Sequence, residues 1–271
     1  MKHLREIDEE HDYTKVHKEA ERIDRRDRVI LKNEEERSVF EEVFDRQTLM
    51  TLHKLSNKGA FSYLNGVISS GKESRVYWGV RGDGADLAVK IYLVASSDFK
   101  RRAQYVLGDP RFKKFKRDSR SVAELWARKE FTNLKQAHEA GASVPRPYQF
   151  LGNVLVSEFI GENGVAAGKL VDSQVMKKDY LEIIKQVKLL YSKARIVHGD
   201  LSEYNIFKFE GRIILFDFGS AVSILHPLAL EYLSRDISNL NRFFERRGYA
   251  TSDKGRIITS IVGKEATEDG S

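Results

Sequence analysis

The clearest chemical signal in the sequence is a set of three polar side chains in its second half. Asp200 and Asn205 are separated by four residues in HGDLSEYN, and Asp217 directly follows the apolar run IILF. Phosphoryl transfer from ATP needs a carboxylate beside the acceptor hydroxyl, and an amide oxygen and a second carboxylate as Mg²⁺ ligands. We therefore predict catalytic roles for Asp200 and Asp217, and Mg²⁺ or Mn²⁺ binding by Asn205 and Asp217.

A cation for the phosphates lies upstream of these residues. Lys90, in the strand-like run LAVKIY, matches the lysine that contacts the α- and β-phosphates and pairs with a helix glutamate, so we predict a catalytic role for it as well. Glu130 in WARKEFTNL is our choice for that partner, and Glu124 remains an alternative. His198 is expected to shape its loop by hydrogen bonding rather than to transfer protons.

The stretch Gly66 to Ser74, GVISSGKES, is a candidate phosphate-binding turn. Small residues allow backbone N–H groups to approach phosphate oxygens. Its spacing nearly matches a P-loop, but Glu73 stands where that motif needs a magnesium-binding hydroxyl, and a strand follows instead of a helix. We therefore disfavour a P-loop NTPase and assign nucleotide contacts in this turn to Val67, Ser69, Gly71 and Lys72.

The run VLVSEFI is predicted to connect two lobes and to meet the edge of the adenine through the backbone of Ser157 to Ile160. Glu158 and Ile160 are its candidate nucleotide contacts. Glu203, within HGDLSEYN, completes the predicted nucleotide-binding set, which also includes Lys90 and Glu130.

Hydrophobic periodicity predicts the elements that position these residues. A helix between Asp45 and Gly59, an antiparallel meander, a helix over 121–140 and a strand pair precede helices over 177–194 and 227–247. This order predicts an α+β, two-lobed protein-kinase-like fold. Because the chain after Asp217 is short, the mainly helical C-lobe is expected to lack an activation loop and substrate-binding helices.

The predicted divisions are a charged extension (1–44), an N-lobe with hinge (45–160), a truncated C-lobe (161–249) and a polar tail (250–271). Residues 98–120 form a basic insertion, expected to be flexible, with nine Lys or Arg and three Asp in a chain of net charge +6. Concentrated positive charge favours a nucleic-acid partner, and a solvated loop is the alternative.

Composition excludes several classes of site. With no cysteine, the chain has no disulfides, thiolate zinc sites or cysteine nucleophiles. It has no apolar run of membrane-spanning length, and its charged start differs from a secretory signal. We expect a soluble, cytoplasmic protein without a membrane partner.

Four motifs resemble the RIO atypical protein kinases, in particular the archaeal form of the first subfamily: GVISSGKESRVYWG, WARKEFTNL, VHGDLSEYNI and HPLALEYLSRDISNLNRFF. The resemblance extends from about Asp45 to Tyr249. The sequence differs in its LFDFGS motif, because the family often has other residues after this aspartate.

The resemblance implies serine autophosphorylation, ATP hydrolysis and a role in maturation of the small ribosomal subunit. It also implies that Asp217 can accept phosphate. Two alternatives remain: a nucleotide-gated module that binds RNA or the ribosome with little turnover, and a small-molecule phosphotransferase, a class that shares the HGD-x4-N loop.

Overall fold

The computed structural model of the protein describes residues 44–94, 103–112, 115–116 and 118–263. The chain folds into two lobes, as the α+β kinase-like prediction required. The N-lobe contains α1 (Arg46–Asn57), β1 (Tyr63–Ser70), β2 (Ser74–Val80), β3 (Asp86–Tyr92), α2 (Ser119–Glu139), β4 (Pro147–Leu151) and β5 (Val154–Glu158). The C-lobe contains β6 (Gly161–Glu162), β7 (Val165–Ala166), α3 (Lys177–Leu189), β8 (Ile196–Val197), β9 (Ile206–Phe209), β10 (Arg212–Leu215), β11 (Val222–Ser223), α4 (Ala229–Arg246) and α5 (Lys254–Val262).

Aspartates start three of the helices. Asp45, Asp118 and Asp253 precede α1, α2 and α5, and each accepts a 2.9 Å hydrogen bond from the backbone N–H three residues later. An aspartate in this position pairs one of the N–H groups that the first helical turn leaves without a partner. Gly141, with φ +82°, ends α2 in a conformation that glycine adopts without steric cost.

The five strands of the N-lobe form an antiparallel sheet in the order β1-β2-β3-β5-β4. One face packs on α1 through the buried side chains of Leu52, Leu55, Tyr77 and Val89. Cross-strand partners share a face, so the pairings Ser69 with Val76 and Val76 with Lys90 place these three residues in one row on the opposite face.

The C-lobe topology brings two loops to one place. Residues 198–205, here called the HGD loop, follow β8, whereas residues 217–221, here called the DFG loop, lead into β11. Strands β8 and β11 pair with each other, and β9 and β10 pair in the segment between the two loops. This closed arrangement holds the HGD and DFG loops side by side.

Helix α4 lies in the C-lobe core and contacts the HGD loop. Its apolar stripe, including Leu233, Ile237, Leu240 and Phe244, is buried in the C-lobe core. Such a stripe at helical spacing anchors the helix against the rest of the lobe.

The prediction of a polar tail over 250–271 is wrong for Lys254–Val262, which forms α5. Ile257 and Ile261 are each only 5% exposed and belong to the C-lobe core. Their spacing of four places both on one face of a helix. Residues 264–271 lie outside the described part of the chain.

The expectation of a flexible insertion over 98–120 is wrong for residues 103–112. Tyr105, Val106 and Phe112 are buried in the C-lobe core. Asp109 accepts a hydrogen bond from Ser223 N at 3.2 Å. Two further contacts join the ring nitrogen Nε2 of His226 to the carbonyls of Gln104 (3.0 Å) and Leu107 (2.8 Å). The charged extension 1–43 and residues 95–102, 113–114 and 117 lie outside the described part.

The turn between β1 and β2 is shorter than expected. Strand β1 continues to Ser70 with irregular pairing to β2, so only residues 71–73 form the turn. Among the described residues, no helix has both the length and the apolar character that a membrane crossing requires.

Candidate functional site

Lys90 lies at the centre of the site. Its Nζ is 2.8 Å from Glu130 Oε2 on α2 and 3.0 Å from Asp217 Oδ1 in the DFG loop. Burial lowers the pKa of Lys90, but the Asp217 and Glu130 carboxylates outweigh this effect and raise the pKa well above its ordinary value. Lys90 is therefore a permanent cation at the junction of the two lobes.

The choice of Glu130 over Glu124 agrees with this geometry. Glu124 is 39% exposed and lies 3.9 Å from Arg120. Glu130 lies six positions after Glu124 along α2, so the two side chains leave the helix in different directions. Only Glu130 meets Lys90.

Tyr92 is a member of the site that the sequence analysis missed. Its hydroxyl donates to Glu130 Oε2, and it follows Lys90 by two residues, the spacing that places both side chains on one face of a strand. Burial raises the pKa of Tyr92 well above its ordinary value, so the hydroxyl remains a donor. Tyr92 thus holds the Glu130 carboxylate in place, and this carboxylate in turn positions Lys90.

Asp200 and Asn205 are joined within the HGD loop. Asn205 Nδ2 donates to the carbonyl oxygen of Asp200 at 2.8 Å, and the carbonyl of Asn205 accepts from Phe216 N at 3.0 Å. The second bond places Asn205 against the residue before Asp217. Because the amide nitrogen of Asn205 is occupied, its oxygen is the atom suited to a cation.

His198 shapes the loops by hydrogen bonding, as predicted. Its Nε2 lies 3.1 Å from the carbonyl oxygen of Phe216, and its ring packs on Phe218 with centroids 4.8 Å apart. Burial lowers the pKa of His198 to about 4. The neutral ring therefore donates from Nε2 to Phe216 at neutral pH.

Asp236 on α4 is a second residue that the sequence analysis missed. Its carboxylate accepts from Gly199 N at 2.8 Å and from Leu201 N at 2.9 Å, the N–H groups on either side of Asp200. Burial raises the pKa of Asp236 to about 7. Arg235 donates to the carbonyl of Gly199. Together, Asp236 and Arg235 fix the backbone that presents Asp200.

Asp217 has an unusual backbone conformation. Its φ of +61° and ψ of +68° lie in the left-handed region that residues with a Cβ seldom adopt. Surrounding contacts must therefore maintain it. The carboxylate is 36% exposed and remains within reach of Lys90.

The predicted phosphate-binding residues lie on the exposed end of the β1–β2 hairpin: Val67, Ser69, Gly71 and Lys72. The turn is closed by a 2.9 Å hydrogen bond from Gly71 N to the carbonyl of Ser74. Ser69 belongs to the row on the sheet that ends at Lys90. Ser69 and the Lys90 cluster therefore share one face of the N-lobe sheet, whereas Val67 pairs with Tyr77, which belongs to the row packed on α1.

The predicted hinge, the backbone from Ser157 to Ile160, already forms hydrogen bonds within the protein. The Glu158 carboxylate accepts from Arg146 N at 2.9 Å, and the Ile160 carbonyl accepts from Ala167 N at 2.9 Å. Glu203, in the HGD loop, accepts through its carbonyl from Val171 N at 3.2 Å. The carboxylate of Glu158 is thus already bonded within the protein.

The donor atoms fit a magnesium ion. Asp217 and Asn205 offer hard carboxylate and amide oxygens, and Mg²⁺ binds through one or two such groups together with phosphate oxygens and water. Within the described residues, no cluster of three or more His, Cys, Asp or Glu forms a self-contained metal site. Asp217 and Asn205 are therefore the residues that would hold a magnesium ion bound together with a nucleotide.

Comparison with known proteins agrees with the geometry. The chain is 39% identical over 260 residues to the RIO-type serine/threonine-protein kinase Rio1 of Haloferax volcanii, covering 93% of this chain and 89% of that protein. It is 41% identical over 227 residues to the Methanocaldococcus jannaschii protein of the same name, covering 83% and 77%. The Rio1 kinase of Dictyostelium discoideum is 36% identical, but the matched region spans only 45% of its length.

Solved structures show the same fold. The Rio2 kinase of Chaetomium thermophilum, in a complex described as ADP/Mg²⁺-phosphoaspartate, matches 81% of this chain and 67% of its own with a TM-score of 0.61 at 23% identity. A family model described as the RIO domain matches residues 75–257. This match and the two archaeal identities show that the chain belongs to the RIO family of atypical kinases, on its Rio1 side.

Proposed function

We propose that this protein is an ATP- and Mg²⁺-dependent serine protein kinase and ATPase that phosphorylates itself and acts on precursors of the small ribosomal subunit in the cytoplasm. The observation that carries the proposal is the pair of contacts made by Lys90 Nζ, 2.8 Å to Glu130 and 3.0 Å to Asp217. Kinases need this lysine, helix glutamate and metal-loop aspartate assembled together for phosphoryl transfer.

Each residue has one task in the proposed reaction. Lys90 contacts the α- and β-phosphates, while Asn205 and Asp217 bind the metal. When bound, Mg²⁺ neutralises charge on the β- and γ-phosphates. Asp200 accepts the proton of the attacking serine hydroxyl as the serine oxygen bonds to the γ-phosphorus and the bond to ADP breaks.

The proposed nucleotide contacts come from the β1–β2 hairpin and from the hinge. The exposed β1–β2 turn, with Ser69, Gly71 and Lys72, is proposed to cover the phosphates, and Val67, 47% exposed, to cover the base. The hinge backbone from Glu158 to Ile160 is proposed to meet the edge of the adenine. The contribution of Glu158 comes from its backbone, because its carboxylate is bonded to Arg146 N.

ATP hydrolysis is proposed to pass through Asp217 itself. One carboxylate oxygen attacks the γ-phosphorus, ADP leaves, and water then hydrolyses the acyl phosphate to regenerate Asp217 and release phosphate. The resemblance to RIO kinases supports this route, and a related Rio2 kinase has been described as a phosphoaspartate complex. An acyl phosphate is cleaved by hydroxylamine, whereas phosphoserine is not.

The short path after the DFG loop supports self-phosphorylation and a large external partner. Strand β11 ends at Ser223 and α4 begins at Ala229, so the described chain has no room there for a peptide-docking activation segment. The basic insertion offers another surface. Its described residue Lys116 is exposed and lies within a segment that holds nine basic residues, which favours binding to ribosomal RNA.

The test is Mg²⁺-dependent transfer of labelled γ-phosphate to the protein and to water, with and without small ribosomal subunits. Asp200→Ala and Asp217→Ala are compared with wild type and with Glu139→Ala, which removes a 63%-exposed carboxylate at the far end of α2. We expect both site variants to lose transfer and the control to retain it.

Stimulation by subunits supports the ribosomal role. Tight ATP binding with no transfer in the wild type would instead favour the nucleotide-gated RNA-binding module. Transfer to small-molecule hydroxyls in preference to protein would favour the phosphotransferase alternative.

A further inference from the structure

Two buried polar side chains on α2 bind the backbone of the DFG loop. Lys129 Nζ donates to the carbonyls of Gly219, at 2.9 Å, and Ala221. Asn133 Nδ2 donates to the carbonyls of Phe218, at 3.0 Å, and Ala221, at 2.8 Å. We call Lys129 and Asn133 the carbonyl clamp.

The carbonyl clamp is completely inside the protein. Both of its side chains are 0% exposed. Burying an ammonium group is strongly unfavourable unless contacts with the protein replace its water. The rings of Trp126 and Phe112 lie 5.6 and 5.9 Å from Lys129 Nζ and offer a cation their negative faces. A leucine or methionine would fill the same space without this cost, which indicates a role beyond packing.

We infer this role from Asp217, the residue directly before the segment that the carbonyl clamp binds. Asp217 has a left-handed conformation, which is unfavourable for a residue with a Cβ and persists only where neighbours impose it. His198 binds the carbonyl of Phe216 on one side. The carbonyl clamp binds the next residues on the other side, so the backbone of Asp217 is fixed from both directions.

The clamp also links the DFG loop to the position of α2. Lys129 is adjacent in sequence to Glu130, the partner of Lys90, and Asn133 lies one helical turn beyond. Helix α2 therefore reaches Asp217 by two routes, through Lys90 to its carboxylate and through the clamp to its backbone. A shift of α2 would disturb both together.

We propose that Lys129 and Asn133 are positioning residues that hold Asp217 in its metal-binding conformation, so that magnesium coordination requires α2 to be docked. This inference rests on the proposed metal role of Asp217. The clamp is expected to affect the increase in nucleotide affinity that Mg²⁺ causes. It is not expected to affect the affinity measured without metal.

The test measures ADP affinity by calorimetry, once with EDTA and once with saturating Mg²⁺, for Lys129→Met and Asn133→Leu. Both substitutions preserve side-chain size and remove the donors. The matched control is Asn241→Leu, which removes a similar 2.9 Å amide-to-carbonyl bond, to Ser252, at the other end of the C-lobe.

We expect the metal-dependent gain in affinity to fall about tenfold in each clamp variant, a coupling loss of about 1.4 kcal/mol, with metal-free affinity within about twofold of wild type. The control should keep the full gain. General destabilisation would instead lower both affinities. An unchanged gain in well-folded clamp variants would overturn the proposal.

Asp217→Ala separates this inference from the proposed function on which it rests. If Asp217→Ala keeps the full metal-dependent gain, the metal role of Asp217 is wrong. If it abolishes the gain while the clamp variants retain it, only the positioning role is wrong.

Hydrogen exchange of the wild-type protein covers the case in which the clamp variants fail to fold. Adding Mg²⁺ to the ADP complex should slow exchange in the DFG loop and in the Lys129 to Asn133 turn of α2 together. Slowed exchange in the DFG loop alone would overturn the proposal.

Discussion

Glu130 Oε2 lies 2.8 Å from Lys90 Nζ, and the side chain of Glu130 is only 6% exposed. This ion pair joins α2 to the central strand of the N-lobe sheet. It also fixes the position of the Lys90 ammonium group. The same group contacts Asp217. The two carboxylates share one cation across the junction of the lobes.

Glu130→Gln should lower the rate of phosphoryl transfer by roughly a hundredfold, because a misplaced phosphate-binding group costs about that much. Gln retains the size and can still accept from Tyr92, but it removes the charge that fixes Lys90. Glu124→Gln is the matched control on the same helix, with a carboxylate that is 39% exposed. Single-turnover rates at saturating ATP measure the effect, and equal rates in the two variants would contradict the assigned pairing.

The HGD loop should show two opposing pH dependences of stability. Burial raises the pKa of Asp236 to about 7 from 3.8, so the stability that protonated Asp236 contributes is lost as the pH rises through 7. Burial lowers the pKa of His198 to about 4 from 6.5. Its contribution is therefore complete above pH 6.5 and is lost as the pH falls towards 4.

His198→Phe separates these two effects, because it keeps a ring against Phe218 and removes the titrating group. Wild type should gain stability relative to His198→Phe as the pH rises. The difference in their free energies of unfolding should increase by roughly 3 kcal/mol between pH 4 and pH 7. Urea unfolding across this range measures the difference. A difference that does not change with pH would show that His198 is not buried as a neutral ring.

Helix α5 should contribute to stability although its flanking sequence is polar. Ile257→Ala should lower the free energy of unfolding by about 2–5 kcal/mol, since it opens a cavity beneath α5. Ile258→Ala is the control, because Ile258 is only partly buried against the same core and should cost clearly less. Similar small losses in both variants would indicate that α5 is not packed as described.

The basic insertion should account for much of the salt dependence of RNA binding. Replacing Lys113, Lys114 and Lys116 by Glu should weaken binding and reduce the slope of log affinity against log salt by about 2–3, at roughly 0.7–0.9 per phosphate contact. Lys135→Glu, Lys177→Glu and Lys185→Glu combined form a control of equal charge change on α2 and α3. If both triple variants behave alike, the insertion is not a specific contact.

Short motifs single out side chains that the structure brings into contact, such as Lys90 with Asp217, because the spacing within these motifs is local. Lys90, Asp200, Asn205 and Asp217 were each identified from short motifs, and the choice of Glu130 agrees with the structure. Asp236 was missed because its signal is indirect. It occupies an apolar-stripe position, three residues after Leu233 and beside Ile237, where a carboxylate stands out only once the helix is recognised as buried.

The carbonyl clamp and α5 were missed for related reasons. Lys129 resembles any helix lysine until the DFG loop is found beside it, because its partners are main-chain carbonyls about ninety residues further along the chain. In α5, Ile257 and Ile261 have helical spacing, but they lie in the short run IITSIV with polar segments on both sides of it. Contacts between distant segments leave little trace in local patterns of hydrophobicity.

The packing of residues 103–112 on the C-lobe has a consequence for folding during synthesis. Tyr105 OH accepts from Arg235, 130 residues later, and Asp109 binds Ser223 N, 114 residues later. Contacts of such separation slow folding. A ribosome adds residues from the N-terminus, so residues 103–112 are made well before their partners. They can dock only after Ser223 and α4 have been synthesised, and this part of the C-lobe core therefore forms late in translation.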